Sequence, residues 1–309
     1  MSSISQPSLA VISAENRLPG ALALIASLER FRATMPISLC LVDNPAGDLA
    51  LIKKRFRGLT VYSAQDLCQT QLGAAIVAKY RGAAMGTRIH ALKAAFADFL
   101  ARIYPNTAIV FLDDDIYFTR DYMFLFKVLE TYDMFLTVAF PFLDPARDPF
   151  SFDTAVDGSL YSAAVLGITG AAHAPLEAWM TALAHSGGDE QLGVRHVDCH
   201  LNPLPVYFDN LTVIRKIFCP LTVSNYSGAR LGDNLAGVDL ARSVPAICFS
   251  PEMQRLVRYG NAGAIMPWLS LYDRFRDEVV RDLFDREGNI LNKSRLMAQQ
   301  LKLAHARKR

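Results

Sequence analysis

Three consecutive aspartates are the residues whose type and spacing point most directly to chemistry. Asp113, Asp114 and Asp115 directly follow a six-residue apolar run at 107–112. Carboxylates this close repel one another unless a cation or a proton compensates the charge. In an extended segment Asp113 and Asp115 point to the same side, so both can bind one Mg²⁺ or Mn²⁺ ion. The competing interpretation is an acidic loop that caps the next helix.

The elements around the triplet follow an alternating pattern. The run at 107–112 has the length and continuous hydrophobicity of a strand buried on both faces. Alternating strands and helices predict an α/β fold with a doubly wound, mostly parallel sheet flanked by helices. The triplet would then lie at the carboxyl edge of a central strand, where such sheets bind ligands. Further strands are predicted at 8–14, 37–42, 59–63, 134–140, 160–169 and 221–226, and helices at 21–31, 49–56, 71–80, 89–104 and 175–185.

Several segments resemble a known family. The run IVFLDDDIYF at 109–118 resembles the YLDxDI motif of GT-A glycosyltransferases, especially the group that includes glycogenin and bacterial lipopolysaccharide galactosyltransferases. Downstream, 161–166 is similar to the FNAGVL strand and 225–228 to the HYSG motif of that family. Glu190-Gln191 with 203–205 and 209–210 is similar to its DQ…LP…YN segment. The matches run in order from residue 8 to residue 228.

The resemblance implies a Rossmann-like GT-A fold and a sugar transfer from a nucleoside-diphosphate donor, with UDP the default, to a hydroxyl acceptor. It implies a catalytic core at 1–228, and we expect 229–309 to form a helical extension packed on that core. The acceptor would be a glycan, a lipid-linked oligosaccharide or a protein. A divalent cation, Mn²⁺ or Mg²⁺, would bridge the donor phosphates and stabilise the charge on the leaving group.

The resemblance also assigns roles to individual residues. Asp113 and Asp115 would bind the metal, and Asn225 stands where the family has a third, histidine ligand. Another alignment places Cys248 there, but the amide oxygen of Asn225 suits a hard cation better. The residues that would contact the donor are Ala14, Glu15, Asn16, Arg88 or Lys93, Asp113, Asp114, Ser162 and Gly228.

The stereochemical course stays open. An inverting enzyme needs a carboxylate base on the acceptor side, for which Asp189, Glu190 and Asp209 are the candidates. A retaining enzyme needs a polar group near the anomeric carbon, and Gln191 resembles the family residue at that place. Two other functions remain as alternatives. One is a non-catalytic nucleotide-binding relative, suggested by the missing histidine; the other is a nucleotidyl- or phosphotransferase with two-metal chemistry.

A second cluster, His196-Val197-Asp198-Cys199-His200, could in principle contribute to a zinc site. Zinc sites normally need four ligands, and no second pair at a recognised spacing accompanies the cluster. We therefore expect these residues to lie on a loop at the surface.

Composition limits the partners and the compartment. With 32 basic and 30 acidic residues the net charge is +2, which gives no global field for nucleic acid. Five scattered cysteines argue against a disulfide framework, and neither a signal peptide nor an apolar run of about 20 residues is present. We expect a cytoplasmic protein. The tail at 292–309 has six basic and no acidic residues, so it would contact the inner membrane face or a partner, or form a solvated helix.

Overall fold

A seven-stranded sheet forms the centre of the protein. The computed structural model describes residues 6–32, 34–43, 49–139, 158–187, 193–215, 219–222, 244–260, 265–284 and 290. The strand order is β3-β2-β1-β4-β7-β6-β8, and a separate pair joins β5 to β9. The strands are β1 (Gln6–Ser13), β2 (Ile37–Leu41), β3 (Leu59–Ser63), β4 (Thr107–Asp113), β5 (Ile116–Phe118), β6 (Met134–Val138), β7 (Tyr161–Ile168), β8 (Leu211–Ile214) and β9 (Ala246–Cys248).

Helices cover both faces of this sheet. Leu9 and Val11 of β1 pack in one apolar core, whereas Ala10 and Ile12 pack in the other, as the alternation of side chains along a strand requires. The first core contains α1, α2, α5 and α10, and the second contains α3, α4 and α6–α8. The helices are α1 (Leu18–Glu29), α2 (Leu49–Arg55), α3 (Gln71–Lys79), α4 (Met85–Ile103), α5 (Met123–Leu129), α6 (His173–His185), α7 (Val194–Cys199), α8 (Leu204–Tyr207), α9 (Pro251–Tyr259) and α10 (Met266–Leu283).

The predicted sheet is confirmed. Strands β1 to β4 run parallel, and β7 runs antiparallel to both β4 and β6. The apolar run of β4 is buried on both faces, which is why its sequence shows no alternation. Strand β1 lies between β2 and β4, so the chain proceeds from the centre of the sheet outward in both directions.

Some predicted elements differ from the structure. The strand predicted at 221–226 is reduced to a bridge between Leu221 and Ile247, and 223–226 lie outside the described residues. The short helices α7 and α8 lie in a part of the chain for which the sequence predicts no helix or strand. Strands β5, β8 and β9 and helix α5 were not predicted. Strands β5 and β9 have three residues each and pair across more than 120 positions, so neither has a local signal of its own.

Helices α9 and α10 follow the last strand. Ile265, Leu269 and Tyr272 pack with Tyr117 of β5 and Phe249 in a third apolar cluster. Val279 and Leu283 belong to the same core as helix α1. The basic tail at 292–309 lies outside the described residues. Within the described part of the chain, no helix is long and apolar enough to cross a membrane.

Candidate functional site

The aspartate triplet lies between β1 and β4, where the order in which strands are added to the sheet reverses. Strands β1 and β4 are parallel neighbours, with Ile12 opposite Asp113. Strands β2 and β3 continue on the β1 side, and β7, β6 and β8 continue on the β4 side. In open α/β sheets the loops diverge at such a point, and the crevice between them is where ligands bind. Asp113 ends β4, and Asp114 and Asp115 form the turn into β5.

Asp113 is paired with a buried lysine and a histidine. Lys93 of α4 is fully buried; its Nζ forms an ion pair with Asp113 Oδ1 and donates to the Ala163 carbonyl at 2.6 Å. His90 Nε2 lies 3.5 Å from Asp113 Oδ2. Burial alone would raise the pKa of Asp113, but the charges of Lys93 and His90 outweigh it and hold that pKa well below its usual range. Asp113 is therefore ionised.

Asp114 points into the protein between β1 and the start of α1. Its Oδ2 accepts a 2.6 Å hydrogen bond from Ser13 Oγ, and its Oδ1 is paired with Arg17 Nη2. Its side chain is only 2 % exposed. Burial raises the pKa of Asp114 to about 7, an effect that Arg17 opposes and the charge of Asp115 reinforces. Asp114 thus anchors the turn to the end of β1.

Asp115 has weaker partners than the other two. Arg17 Nη2 lies 3.4 Å from its Oδ2, and Cys248 donates its thiol to Oδ1 at 3.2 Å. The backbone holds this contact in place, because β5 pairs with β9 and Phe249 N donates to the Asp115 carbonyl at 2.8 Å. Burial, reinforced by Asp113, raises the pKa of Asp115, while Arg17 opposes the rise. Burial and the same carboxylates raise the pKa of Cys248 well above its ordinary value.

His90 connects the triplet to Asp198. Its Nδ1 lies 3.0 Å from Asp198 Oδ1, and Asp198 Oδ2 accepts from the Ala163 amide at 3.3 Å. Burial would lower the pKa of His90, but Asp198 and Asp113 raise it to about 9, so His90 carries a proton at neutral pH. The expectation of a surface loop at 196–200 is wrong here, since Asp198 is buried on helix α7. Among the described residues, no group of three His, Cys, Asp or Glu side chains has the arrangement of a metal site.

The predicted donor-binding residues that are described lie at this same edge. Ala14, Glu15 and Asn16 follow β1, and Glu15 N donates to Asp43 Oδ1 at 2.8 Å. Arg88 donates to the Val42 carbonyl just after β2. Ser162 lies beside Ala163, the backbone partner of Lys93. Of the two basic residues proposed from the resemblance, Lys93 contacts the triplet directly and Arg88 holds the end of β2.

Other predicted residues are not brought to the triplet. Asp209 is exposed in the turn before β8, whose first residue, Leu211, pairs with Met134 at the amino end of β6. That turn lies at the opposite edge of the sheet, so Asp209 does not fit the role of a base beside the triplet. The remaining candidates, Asp189, Glu190, Gln191, Asn225 and Gly228, lie outside the described residues.

Sequence reasoning missed three contacts of the triplet, Ser13, Arg17 and His90, and also missed Asp198, which contacts His90. Ser13 and Arg17 flank the segment assigned to the nucleotide, and His90 precedes Lys93 by one helical turn, so their position along the chain was a usable signal. Asp198 had no such signal, because only packing of α7 against α4 brings it to His90. Cys248, the alternative to Asn225 as a third metal ligand, contacts Asp115.

Asp113 and Asp115 fit a hard divalent cation. Their side chains are 12 % and 16 % exposed, so neither is sealed from the crevice. Each carboxylate oxygen has a second lone pair beyond the one used by its present partner. Oxygen ligands of this type are those that Mg²⁺ and Mn²⁺ prefer. Asp115 is the more available of the two, because its contact with Arg17 is longer than the ion pair between Asp113 and Lys93.

Solved structures share this fold. Glycosyltransferase GlyE of Streptococcus pneumoniae TIGR4 aligns at 12% identity and a TM-score of 0.53, over 93% of this chain and 65% of GlyE. Galactosyltransferase LgtC, solved with donor and acceptor sugar analogues, aligns at 12% and 0.53 over 89% of this chain and all of LgtC. The bifunctional glycosyltransferase WbbM aligns at 11% and 0.50 over 80% of this chain and 46% of WbbM.

These alignments establish that the chain has the GT-A fold, as the sequence resemblance implied. The chain spans slightly less than two thirds of GlyE and less than half of WbbM. No protein-family model matches the sequence, and no curated protein matches it.

Proposed function

We propose that the chain is a glycosyltransferase that moves a sugar from a nucleoside-diphosphate donor, with UDP as the nucleotide, to a hydroxyl acceptor. The observation that carries this proposal is the position of Asp113–Asp115 between the parallel strands β1 and β4, where the strand order of the sheet reverses. Nucleotides bind at this point in doubly wound folds. The shared fold with GlyE and LgtC supports the same class of reaction.

The described residues divide the work of such a site. The nucleoside would lie along the carboxyl ends of β1 and β2, where Ala14, Glu15, Asn16 and Arg88 are found. Asp113 and Asp115 would hold Mn²⁺ or Mg²⁺, which stabilises the charge that develops on the diphosphate leaving group. Lys93 fixes the orientation of Asp113 from within the protein.

Asp114 has a different task. Its two oxygens are held by Ser13 and Arg17, so it faces away from the crevice and keeps the turn in register with β1. This anchor would help to hold Asp113 and Asp115 in fixed positions on either side of it. Fixed positions matter because metal ligands and catalytic groups are effective only when they are held in the right geometry.

The acceptor half of the reaction is proposed from the resemblance. Asp189 or Glu190 would act as the base of an inverting reaction, and Gln191 would lie near the anomeric carbon in a retaining one. Asn225 would complete the metal site and Gly228 would contact the donor. LgtC was solved with an acceptor sugar analogue, which supports a glycan or lipid-linked acceptor here, with a protein as the alternative. We further propose that the reaction takes place in the cytoplasm, with the basic tail at the inner membrane face.

One observation favours a second candidate, a non-catalytic nucleotide-binding protein. Each triplet carboxylate already has partners within the protein: Lys93 and His90, Ser13 and Arg17, or Cys248 and Arg17. A protein that only binds nucleotide would tolerate this compensation. Two-metal chemistry has less support, because it requires further acidic ligands, which the sequence shows only weakly.

The test is calorimetric titration of UDP into the wild type and Asp115→Asn, each with and without Mn²⁺. We expect metal-dependent UDP binding that weakens roughly 10- to 100-fold in the variant, the usual range for disturbing a metal's surroundings. Asp115→Asn is preferred to Asp113→Asn because Asp113 compensates a fully buried lysine. The control is Asp133→Asn, a carboxylate at the start of β6 on the opposite sheet edge.

Turnover separates the two candidates. Hydrolysis of UDP-sugars in the presence of Mn²⁺ supports the transferase. Metal-dependent UDP binding with no turnover of any donor supports the binding protein. If neither UDP nor any other nucleoside diphosphate binds in a metal-dependent way, both candidates are wrong and the triplet has a structural role.

A further inference from the structure

Arg17 contacts two of the three triplet carboxylates. It ends the short 3₁₀ turn Glu15–Arg17, directly between β1 and α1. A single nitrogen, Nη2, is paired with Asp114 Oδ1 and lies 3.4 Å from Asp115 Oδ2. The Arg17 side chain is 33 % exposed, whereas that of Asp114 is 2 % exposed. The guanidinium therefore reaches from the crevice into the protein, and it has further N–H donors beyond the one used here.

The cations within the protein compensate most of the triplet's charge. Lys93 is paired with Asp113, and Arg17 serves both Asp114 and Asp115. His90 lies between Asp113 and Asp198, at 3.5 and 3.0 Å. Asp115 thus shares Arg17, the cation nearest to it, with Asp114. A free divalent ion entering beside Asp115 would also meet the positive charge of Arg17.

We propose that Arg17 is a built-in counter-cation that weakens binding of a free divalent ion, so that the site takes its cation together with the nucleoside diphosphate. A diphosphate brings several negative charges of its own, which offset the repulsion between the ion and Arg17. The exposed part of the guanidinium is also suited to a phosphate, since Arg binds phosphate oxygens with its planar fork. The nucleotide half of this inference rests on the proposed function; the effect of Arg17 on the free ion does not.

The competing explanation is that Arg17 only keeps buried Asp114 in place. A purely structural residue would change stability when it is replaced, but it would not strengthen the affinity for a free ion. The two explanations therefore predict different results for Mn²⁺ binding without nucleotide: tighter binding for a counter-cation, and unchanged or weaker binding for a structural residue.

The experiment measures Mn²⁺ binding to the nucleotide-free protein by electron paramagnetic resonance of the free ion. Three variants are compared with the wild type: Arg17→Gln, Arg17→Lys and Arg32→Gln. Arg32 is the matched control, because it forms an exposed ion pair with Asp121 and its loss changes the net charge equally. We expect Arg17→Gln to bind Mn²⁺ about 10-fold more tightly, because the repulsion between two nearby cations is lost, and the other two to resemble the wild type.

A second pair of variants tests the same inference if Arg17→Gln does not fold. Asp114→Asn removes the buried charge that Arg17 compensates, and the double variant Asp114→Asn, Arg17→Gln removes both. Comparing these two isolates the effect of Arg17 on Asp115. We expect tighter Mn²⁺ binding in the double variant than in Asp114→Asn alone, and thermal unfolding confirms that both are folded.

Mn²⁺ affinity that is unchanged or weaker after loss of Arg17, in both comparisons, overturns the inference. Titration of UDP with Mn²⁺ is the independent arm for the proposed function. Tighter Mn²⁺ binding without any UDP binding supports the counter-cation and contradicts the nucleotide site. Metal-dependent UDP binding, together with a Mn²⁺ affinity that the loss of Arg17 does not alter, supports the nucleotide site and contradicts the counter-cation.

Discussion

The two edges of the central sheet use the same strands but differ in their chemistry. At the carboxyl edge, β4 ends in three carboxylates that are surrounded by Lys93, His90 and Arg17. At the amino edge, a cleft of about 520 Å³ is lined by residues such as Pro105, Thr107 and Tyr132. Contacts there are ordinary hydrogen bonds, for example between Asp133 and Asn210 at 3.1 Å.

The difference shows that a cleft by itself does not mark the better candidate site. Burying charges at the carboxyl edge is costly, and the protein compensates each carboxylate with a specific partner. The amino-edge cleft contains no comparable cluster among the described residues, so its shape follows from packing. A charged constellation that is expensive to bury is the stronger indication of function.

The largest effect is expected for Lys93→Met at the carboxyl edge. The substitution leaves Asp113 buried without its main cation and the Ala163 carbonyl without its lysine donor. Removing one partner of a buried ion pair typically costs about 3–5 kcal/mol of the free energy of unfolding. Chemical denaturation monitored by circular dichroism measures the change.

Lys127→Met on α5 is the matched control for Lys93→Met. Lys127 is exposed, so its replacement should change the free energy of unfolding by less than about 0.5 kcal/mol. Equal stability of the two variants would mean that the Lys93–Asp113 pair does not hold the carboxyl edge together.

The sequence was sufficient to predict the aspartate triplet at the carboxyl edge of the sheet, but not the side chains that contact it. The apolar run of β4, continuing directly into Asp113, predicted both the strand and the place of the triplet, because burial and ligand binding leave local signals. The ionic partners of the triplet come from α4 and from the 3₁₀ turn between β1 and α1, and Asp198, which contacts His90, comes from α7. Pairing between β5 and β9 brings Cys248 to Asp115 across 133 positions. Such contacts depend on tertiary packing, which periodicity along the chain does not encode.

A smaller effect is expected for Gly170→Ala at the amino edge. A Cβ atom on Gly170 would lie 2.0 Å from the backbone oxygen of Pro105, so the two loops would have to move apart. Overpacking of this kind typically costs about 1–3 kcal/mol. Gly82→Ala is the control, because its Cβ would meet nothing within 4 Å.

This variant sharpens the comparison because it separates stability from binding. Gly170→Ala should lower the melting temperature and leave the affinity for UDP in the presence of Mn²⁺ unchanged. Loss of UDP affinity in the folded variant would show that the amino edge contributes to the site after all.

The smallest effect is expected for Asp133→Asn, the amino-edge counterpart of the substitutions in the triplet. Asp133 accepts from Asn210 at 3.1 Å and from Thr169 at 3.4 Å, and no cation is among these partners. Asparagine keeps one acceptor oxygen and creates no unpaired buried charge, so the free energy of unfolding should change by less than about 0.5 kcal/mol. Chemical denaturation tests this value, and Asp113→Asn is the same chemical change at the other edge. Asp113→Asn leaves the fully buried Lys93 without its charged partner. If it lowers the free energy of unfolding by as little as Asp133→Asn does, the distinction between the two edges is wrong.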